Sequence, residues 1–256
     1  MIVKYRDAEI HFTSQGSGNP LLLLHGFMES SKIWEPFVPT LAEQRQVVCI
    51  DLPGHGESGS FNEIHSMEDM AKAVKEVLRH LEIQKAAVAG HSMGGYVSLE
   101  LYKIFPTLLK SLTLVNSSPE DDSEERRINR ERSVKLIKKN KEAFVKMAIS
   151  NLMMPENYKK FRPQVERLIA EASKMSVQEI TAATRGMKIR TNNVQSFAGM
   201  KLPKYIIAGN DDPLMDIERL KTLANTTGAE LIQFSGGHLS YIEEEMALLK
   251  FLHFIE

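Results

Sequence analysis

The chain is poor in several things, and each shortage removes a class of explanation. Among 256 residues there is a single cysteine, Cys49, which excludes an intramolecular disulfide framework and the clustered thiolates of a structural zinc site. It sits in the apolar run Val47-Val48-Cys49-Ile50, where a buried, inert thiol is expected. Net charge is nearly absent: 32 Lys and Arg against 33 Asp and Glu leave −1, so no global field recruits nucleic acid or an anionic membrane. No window reaches the roughly 18 consecutive apolar residues of a membrane span; the longest candidate runs only from Pro20 to Leu24. The first residues, MIVKYRDAEIHF, alternate polar and apolar side chains and lack the apolar stretch of a signal peptide. A cytoplasmic protein is the resulting expectation. Internal repeats and low-complexity stretches are lacking as well. What remains, 43% hydrophobic and 25% charged, is ordinary globular composition.

Short apolar runs organise the chain. Ile2 to Thr13 reads as a β-hairpin turning near Arg6-Asp7. Leu21 to Leu24 then forms a continuous apolar run, and the same form recurs at Val47 to Ile50, Ala86 to Ala89, Leu112 to Val115, Tyr205 to Ala208 and Leu231 to Phe234. Such runs suit strands buried on both faces of a parallel sheet. Helical patterns lie between them. Ser66 and Asp69 offer a capping box before Met70, Val74, Val77, Leu78 and Leu81. Val97, Leu101 and Phe105 form another stripe, which Pro106 ends. Ser240 and Glu243 offer a second box leading into Leu248, Leu249 and Leu252. Alternating strands and helices predict a parallel α/β sheet.

The alternation breaks between about Pro119 and Gly199. That stretch is helical in composition, opens with an acidic cluster from Glu120 to Glu125, and then turns basic. It holds 17 Lys and Arg against 11 Asp and Glu, an excess expected to form a solvated face rather than a funnel for anions. Met147, Met153, Met154, Met175 and Met187 lie within it. They would either line an adaptable pocket or fill gaps in a small helical core.

The sharpest local signal is Gly90-His91-Ser92-Met93-Gly94, directly after the Ala86–Ala89 run and before a helical pattern. This is G-x-S-x-G in a strand–turn–helix setting. A serine at the tip of so sharp a turn holds strained backbone. The residues two before and two after it crowd the adjacent strand and helix, hence glycine at both places. The turn also aims a helix N-terminus and the Met93 N–H at whatever reacts at Ser92.

Four segments in order resemble the α/β-hydrolase superfamily. They are His25-Gly26-Phe27, the stretch Asp51-Leu52-Pro53-Gly54-His55-Gly56-Glu57-Ser58, the elbow at Ser92, and Gly209-Asn210-Asp211-Asp212-Pro213 with Gly236-Gly237-His238 behind it. The resemblance covers everything outside 119–199 and is similar to the serine-esterase and cofactor-free haloperoxidase branch. It implies a mostly parallel twisted sheet of about eight strands covered by helices. Residues 1–118 and 200–256 would form this core, and 119–199 would sit where the family carries its helical lid.

The resemblance also implies roles. The family's chain order is nucleophile, acid, base, which gives Ser92 as nucleophile, Asp212 as acid through the pattern G-x-x-D-P, and His238 as base. Asp211 would then cap the turn or the following helix, and His253 belongs to the last amphipathic helix. The oxyanion hole would use the backbone N–H groups of Phe27 and Met93. The Asp51 to Ser58 stretch is read as structural, with no catalytic part for His55; His91 is read as a packing residue. Trp34 either walls the pocket or belongs to the core. A serine at the elbow argues against dehalogenase and epoxide-hydrolase chemistry, which the family runs through a carboxylate. Hydrolysis of a small or medium carboxylic ester, without metal or organic cofactor, is the leading expectation. C–C bond hydrolysis or a lyase reaction on the same residues, a perhydrolase side reaction, and a non-catalytic binding role are the alternatives. A small-molecule substrate is the only partner implied; oligomeric state is not legible.

Overall fold

In the computed structural model, which describes residues 1–255, the chain opens with the expected hairpin. Strands β1 (Ile2–Tyr5) and β2 (Ala8–Gln15) pair antiparallel with Val3 opposite Ile10, and Arg6 turns the chain at φ 53°. Six further strands follow: β3 (Asn19–Leu24), β4 (Arg45–Ile50), β5 (Ala86–His91), β6 (Leu109–Val115), β7 (Lys204–Gly209) and β8 (Glu230–Phe234). They form one eight-stranded sheet in the order β1-β2-β4-β3-β5-β6-β7-β8. β2 runs antiparallel to β4, and all pairings from β4 to β8 are parallel.

Period-two alternation divides the inner strands between two cores. Leu22, Leu24, Val48, Ile50, Val88 and Leu114 pack under one layer of helices. Leu21, Leu23, Val47, Cys49, Ala87 and Ala89 pack under the other. β8 departs from the expected two-sided burial: as an edge strand paired only with β7, it leaves Leu231 and Ile232 partly exposed.

The first three helices are α1 (Val38–Leu41), α2 (Met67–His80) and α3 (Met93–Ile104). Ser66 caps α2 by accepting the Asp69 N–H at 3.0 Å, while its hydroxyl donates to the Asp69 carboxylate at 2.8 Å. Between β6 and β7 lie only helices: α4 (Glu124–Lys139), α5 (Lys141–Ser150), α6 (Pro155–Lys160), α7 (Arg162–Ala172), α8 (Val177–Lys188) and α9 (Val194–Gly199). α10 (Ile217–Thr227), α11 (Ser240–Glu243) and α12 (Glu245–Phe254) complete the chain.

The second capping box does not form. Ser240 is the first residue of α11, its hydroxyl is buried without a partner among the described residues, and Glu243 instead accepts the Leu239 N–H at 3.2 Å. Leu239 takes the cap position because both backbone groups of the preceding His238 are already held, its N–H by Leu152 O and its carbonyl by the His91 ring. Trp34 is a core residue, fully buried between Phe37 and Tyr241 with ring centroids 5.7 and 6.3 Å away.

Candidate active site

β5 delivers the chain to Ser92 and α3 carries it away, and the turn between them is as tight as the glycines imply. Ser92 has φ 48° and ψ −113°, a sparsely populated conformation for an L residue that its surroundings must hold. The Ser92 N–H donates to Val115 O at 2.9 Å, and its carbonyl accepts from the Ser117 hydroxyl at 2.8 Å. A Cβ on Gly90 would lie 2.4 Å from the Gly94 backbone, and one on Gly94 would lie 2.6 Å from the carbonyl oxygens of Leu24 and His25.

The loops after β7 and β8 bring Asp212 and His238 to the same place. His238 Nε2 lies 3.0 Å from Ser92 Oγ, although 146 positions separate them. On the other side of the ring, Nδ1 lies 2.8 and 3.0 Å from the two Asp212 oxygens. A carboxylate can only accept, so Nδ1 bears the proton and Nε2 is left to accept from the serine hydroxyl. Asp212 also accepts the Leu214 N–H at 2.8 Å and the Asn116 side-chain amide at 3.0 Å. Burial by itself raises the Asp212 carboxyl, but the charge and hydrogen bond of His238 and the bonds from Leu214 and Asn116 hold it below the usual carboxylate range.

Sequence reading missed Asn116. It follows β6 at φ 46° and donates to both Asp212 Oδ2 and Gly237 O at 3.0 Å, tying the Asp212 loop to the His238 loop. The available signal was its position just beyond the C-terminal end of a strand, where open α/β sheets gather their ligand-binding groups. Glu29 was missed too. Its buried carboxylate accepts the Gly26 N–H at 2.6 Å, His91 Nδ1 at 3.0 Å and the Tyr241 hydroxyl at 2.8 Å. Burial raises the Glu29 carboxyl, yet the His91 charge and these bonds outweigh it and bring it down to about 2. His91, read as packing, is buried as expected but also reaches His238 O at 3.0 Å through Nε2.

Phe27 and Met93 lie near Ser92, Phe27 in the loop after β3 and Met93 as its chain neighbour. Phe27 lines the cleft, in a turn where Met28 adopts φ 59°. Met93 is the first residue of α3, so its N–H has no partner within the helix. The remaining candidates are structural. The Asp51 carboxylate accepts the Ser31 and Glu57 N–H groups at 2.7 and 3.0 Å, and His25 Nε2 accepts the Leu52 N–H at 2.9 Å. Burial pushes His55 down to about 3 and Cys49 up to about 12. Asp211 is exposed, and the cap of α10 is Asp216, whose carboxylate accepts the N–H groups of Glu218 and Arg219 at 2.9 and 3.1 Å.

A cleft of about 380 Å³ opens over Ser92 and His238. Phe27, Leu152, Leu214 and Met215 contribute apolar walls, and helices between β6 and β7 add Phe144, Met147 and Met187. The methionines therefore divide: Met147 and Met187 line the cleft, Met153 and Met175 are buried among core residues, and Met154 is exposed. Among the described residues no group of three or more His, Cys, Asp or Glu could hold a metal ion, and no helix is long and apolar enough to cross a membrane.

Comparison with known proteins agrees with this architecture. A protein of Azorhizobium caulinodans named as the carbamate hydrolase RutD is 29% identical over 82% of this chain and 79% of its own. The acetyltransferase component of an acetoin cleaving system from Pseudomonas putida is 43% identical over 40% of this chain, which spans only 27% of that protein. Among solved structures, a thermophilic esterase from Thermogutta terrifontis superposes with a TM-score of 0.90 at 24% identity, covering 96% of this chain and 92% of that one. The enol-lactonase of Burkholderia xenovorans gives 0.90 at 19% identity, covering 98% of both chains. At such identities the structural likeness is one of fold. The sequence itself matches the alpha/beta hydrolase fold family over residues 19–245, and the chain belongs to that family.

Proposed function

We propose that the protein is a serine hydrolase that cleaves small or medium carboxylic esters, with Ser92 as nucleophile, His238 as base and Asp212 as orienting acid. The observation that carries this reading is the unbroken hydrogen-bond chain from Ser92 Oγ through the His238 ring to Asp212, at 3.0 and 2.8 Å. A serine hydroxyl is a weak nucleophile until a base takes its proton. Ser92 Oγ attacks the ester carbonyl carbon while His238 Nε2 takes the hydroxyl proton. Asp212 stabilises the imidazolium so formed and fixes its tautomer. The N–H groups of Phe27 and Met93 receive the tetrahedral oxyanion, each donor worth about 3 kcal/mol to the transition state. Collapse expels the alkoxide, which leaves with the proton from His238. Water, deprotonated by the same nitrogen, then attacks the acyl-serine carbonyl, and His238 returns that proton to Ser92 Oγ as the acyl–oxygen bond breaks and the acid is released. Residues 119–199 serve as a cap that shapes the cleft over the core formed by 1–118 and 200–256; the side chains of α4, α5 and α8 facing Ser92 support this division.

Labelling by a fluorophosphonate probe tests the nucleophile. Wild type is expected to be labelled and Ser92→Ala is not; labelling that survives the substitution overturns the assignment. A panel of p-nitrophenyl esters of increasing acyl length then reads the pocket. The relative aligned over 82% of this chain is named for carbamate hydrolysis, and the same groups would cleave a carbamate by the same steps, so p-nitrophenyl carbamates belong in the panel. Labelled protein that turns over no ester would favour carbamates or C–C bonds.

A further inference from the structure

One face of α4 stands apart from the rest of the cleft. Arg126, Asn129, Arg130 and Ser133 recur at i, i+3, i+4 and i+7 and all line it, so a single helical stripe supplies a polar wall opposite apolar ones. Several cations around this stripe are paired with carboxylates. Arg127 pairs with Asp121 at 2.7 Å, and Arg130 pairs with Asp122 at 3.0 Å. Arg190 reaches Asp122 as well and lies 4.1 Å from the Tyr96 ring centroid; Lys188 pairs with Glu131 and Arg219 with Glu120. Arg126 has no carboxylate partner among the described residues. Its guanidinium donates to Leu214 O across the cleft, which leaves N–H groups of its five-donor fork free.

We propose that this stripe is a subsite for an anionic group of the substrate, with Arg126 as its cation. The inference rests on the serine-hydrolase reading above and narrows it to esters that carry a carboxylate a short chain away from the scissile bond, such as hemiesters of small dicarboxylic acids. A guanidinium matches a carboxylate in a two-pronged, charge-assisted geometry that a lone ammonium does not reproduce. Asn129 and Ser133 supply neutral donors on the same helical face. The acids nearest by are engaged: Arg126 also borders an adjoining cavity of about 310 Å³, where Glu120 and Asp121 are paired and Asp216 caps α10. A substrate carboxylate there meets the Arg126 guanidinium, which no carboxylate among the described residues compensates, beside an Arg130 that shares the single Asp122 carboxylate with Arg190.

The test compares p-nitrophenyl hemiglutarate with p-nitrophenyl valerate, which differ in the distal carboxylate. In wild type the ratio of their kcat/KM values is expected to favour the hemiester and to shrink as salt is added. In Arg126→Gln the ratio should fall on the order of 10- to 100-fold, as loss of a charge-assisted pair implies, through KM more than kcat; Arg126→Lys should recover part of it. A ratio that is the same in wild type and Arg126→Gln overturns the inference while leaving the ester reading intact, even if both rates drop because the Leu214 contact is lost. Folded wild type that turns over neither ester, although a fluorophosphonate labels Ser92, overturns the ester reading itself.

Discussion

Glu29 and His91 stand 62 positions apart in the sequence and 3.0 Å apart in the buried interior behind Ser92. Both ring nitrogens of His91 face acceptors, Nδ1 the carboxylate and Nε2 the carbonyl of His238. A ring placed between two acceptors is fully satisfied only with two protons, so the geometry favours a buried imidazolium–carboxylate pair. Burial lowers His91, but the Glu29 charge and hydrogen bonds raise it above its ordinary value. Because Glu29 also holds Gly26, one carboxylate ties the loop that presents Phe27 to the loop that presents His238.

Glu29→Gln removes the charge and offers only one acceptor to three donors. Turnover of p-nitrophenyl esters is expected to fall about 10- to 100-fold, through kcat, as small misplacements of reacting groups do. The stability effect has a pH signature. The Glu29 carboxyl, lowered from 4.5 to about 2, stabilises the fold above 4.5, and this is lost as pH falls through about 2. His91, raised above 6.5, stabilises below 6.5, and this is lost as pH rises through its folded value. Melting temperatures of wild type and variant should therefore differ most between 4.5 and 6.5 and converge on either side; a difference constant with pH would contradict the ion pair.

Asp212→Asn keeps the shape of the acid but places an amide donor or a poorer acceptor against His238 Nδ1, disturbing the tautomer. In triad enzymes this change lowers kcat by about 10⁴-fold, and a loss of similar size is expected in steady-state ester assays. Retention of most activity would mean that another group orients the base.

Asn116→Ala leaves Asp212 Oδ2 and Gly237 O each short of one donor in a buried setting. Chemical denaturation should show a loss of about 1–3 kcal/mol, accompanied by reduced kcat at nearly constant KM. A destabilised variant with unchanged kcat would confine Asn116 to a structural part.

Gly94→Ala would force a methyl to within 2.6 Å of two backbone carbonyl oxygens. Neither β3 nor α3 can yield without moving Ser92, so the cost should exceed the about 1–3 kcal/mol of ordinary overpacking. Urea unfolding and recovery of soluble protein measure it.

Legibility followed the range of the forces. Strands β3 to β7 were readable because two-sided burial demands continuous apolar runs, and Ser92 because its turn admits only glycine at Gly90 and Gly94. The box at Ser240 and Glu243 had the correct spacing, but helix entry was set by two long-range bonds to His238. Asp211 and Asp216 show the same limit: several acids precede α10, and only the fold chooses which one caps it.

The sequence alone determined the sheet, the elbow and the residue types that chemistry at Ser92 would need, since each is written in local patterns of apolarity and backbone freedom. Only the tertiary structure decided who partners whom. Asn116 with Asp212, Glu29 with His91, and Arg126 with the Leu214 carbonyl rather than with any carboxylate among the described residues are relations between distant segments. They arise when parallel strands bring their C-terminal loops to one edge, where the strength of a charge or hydrogen bond depends on three-dimensional distance and burial rather than on position along the chain.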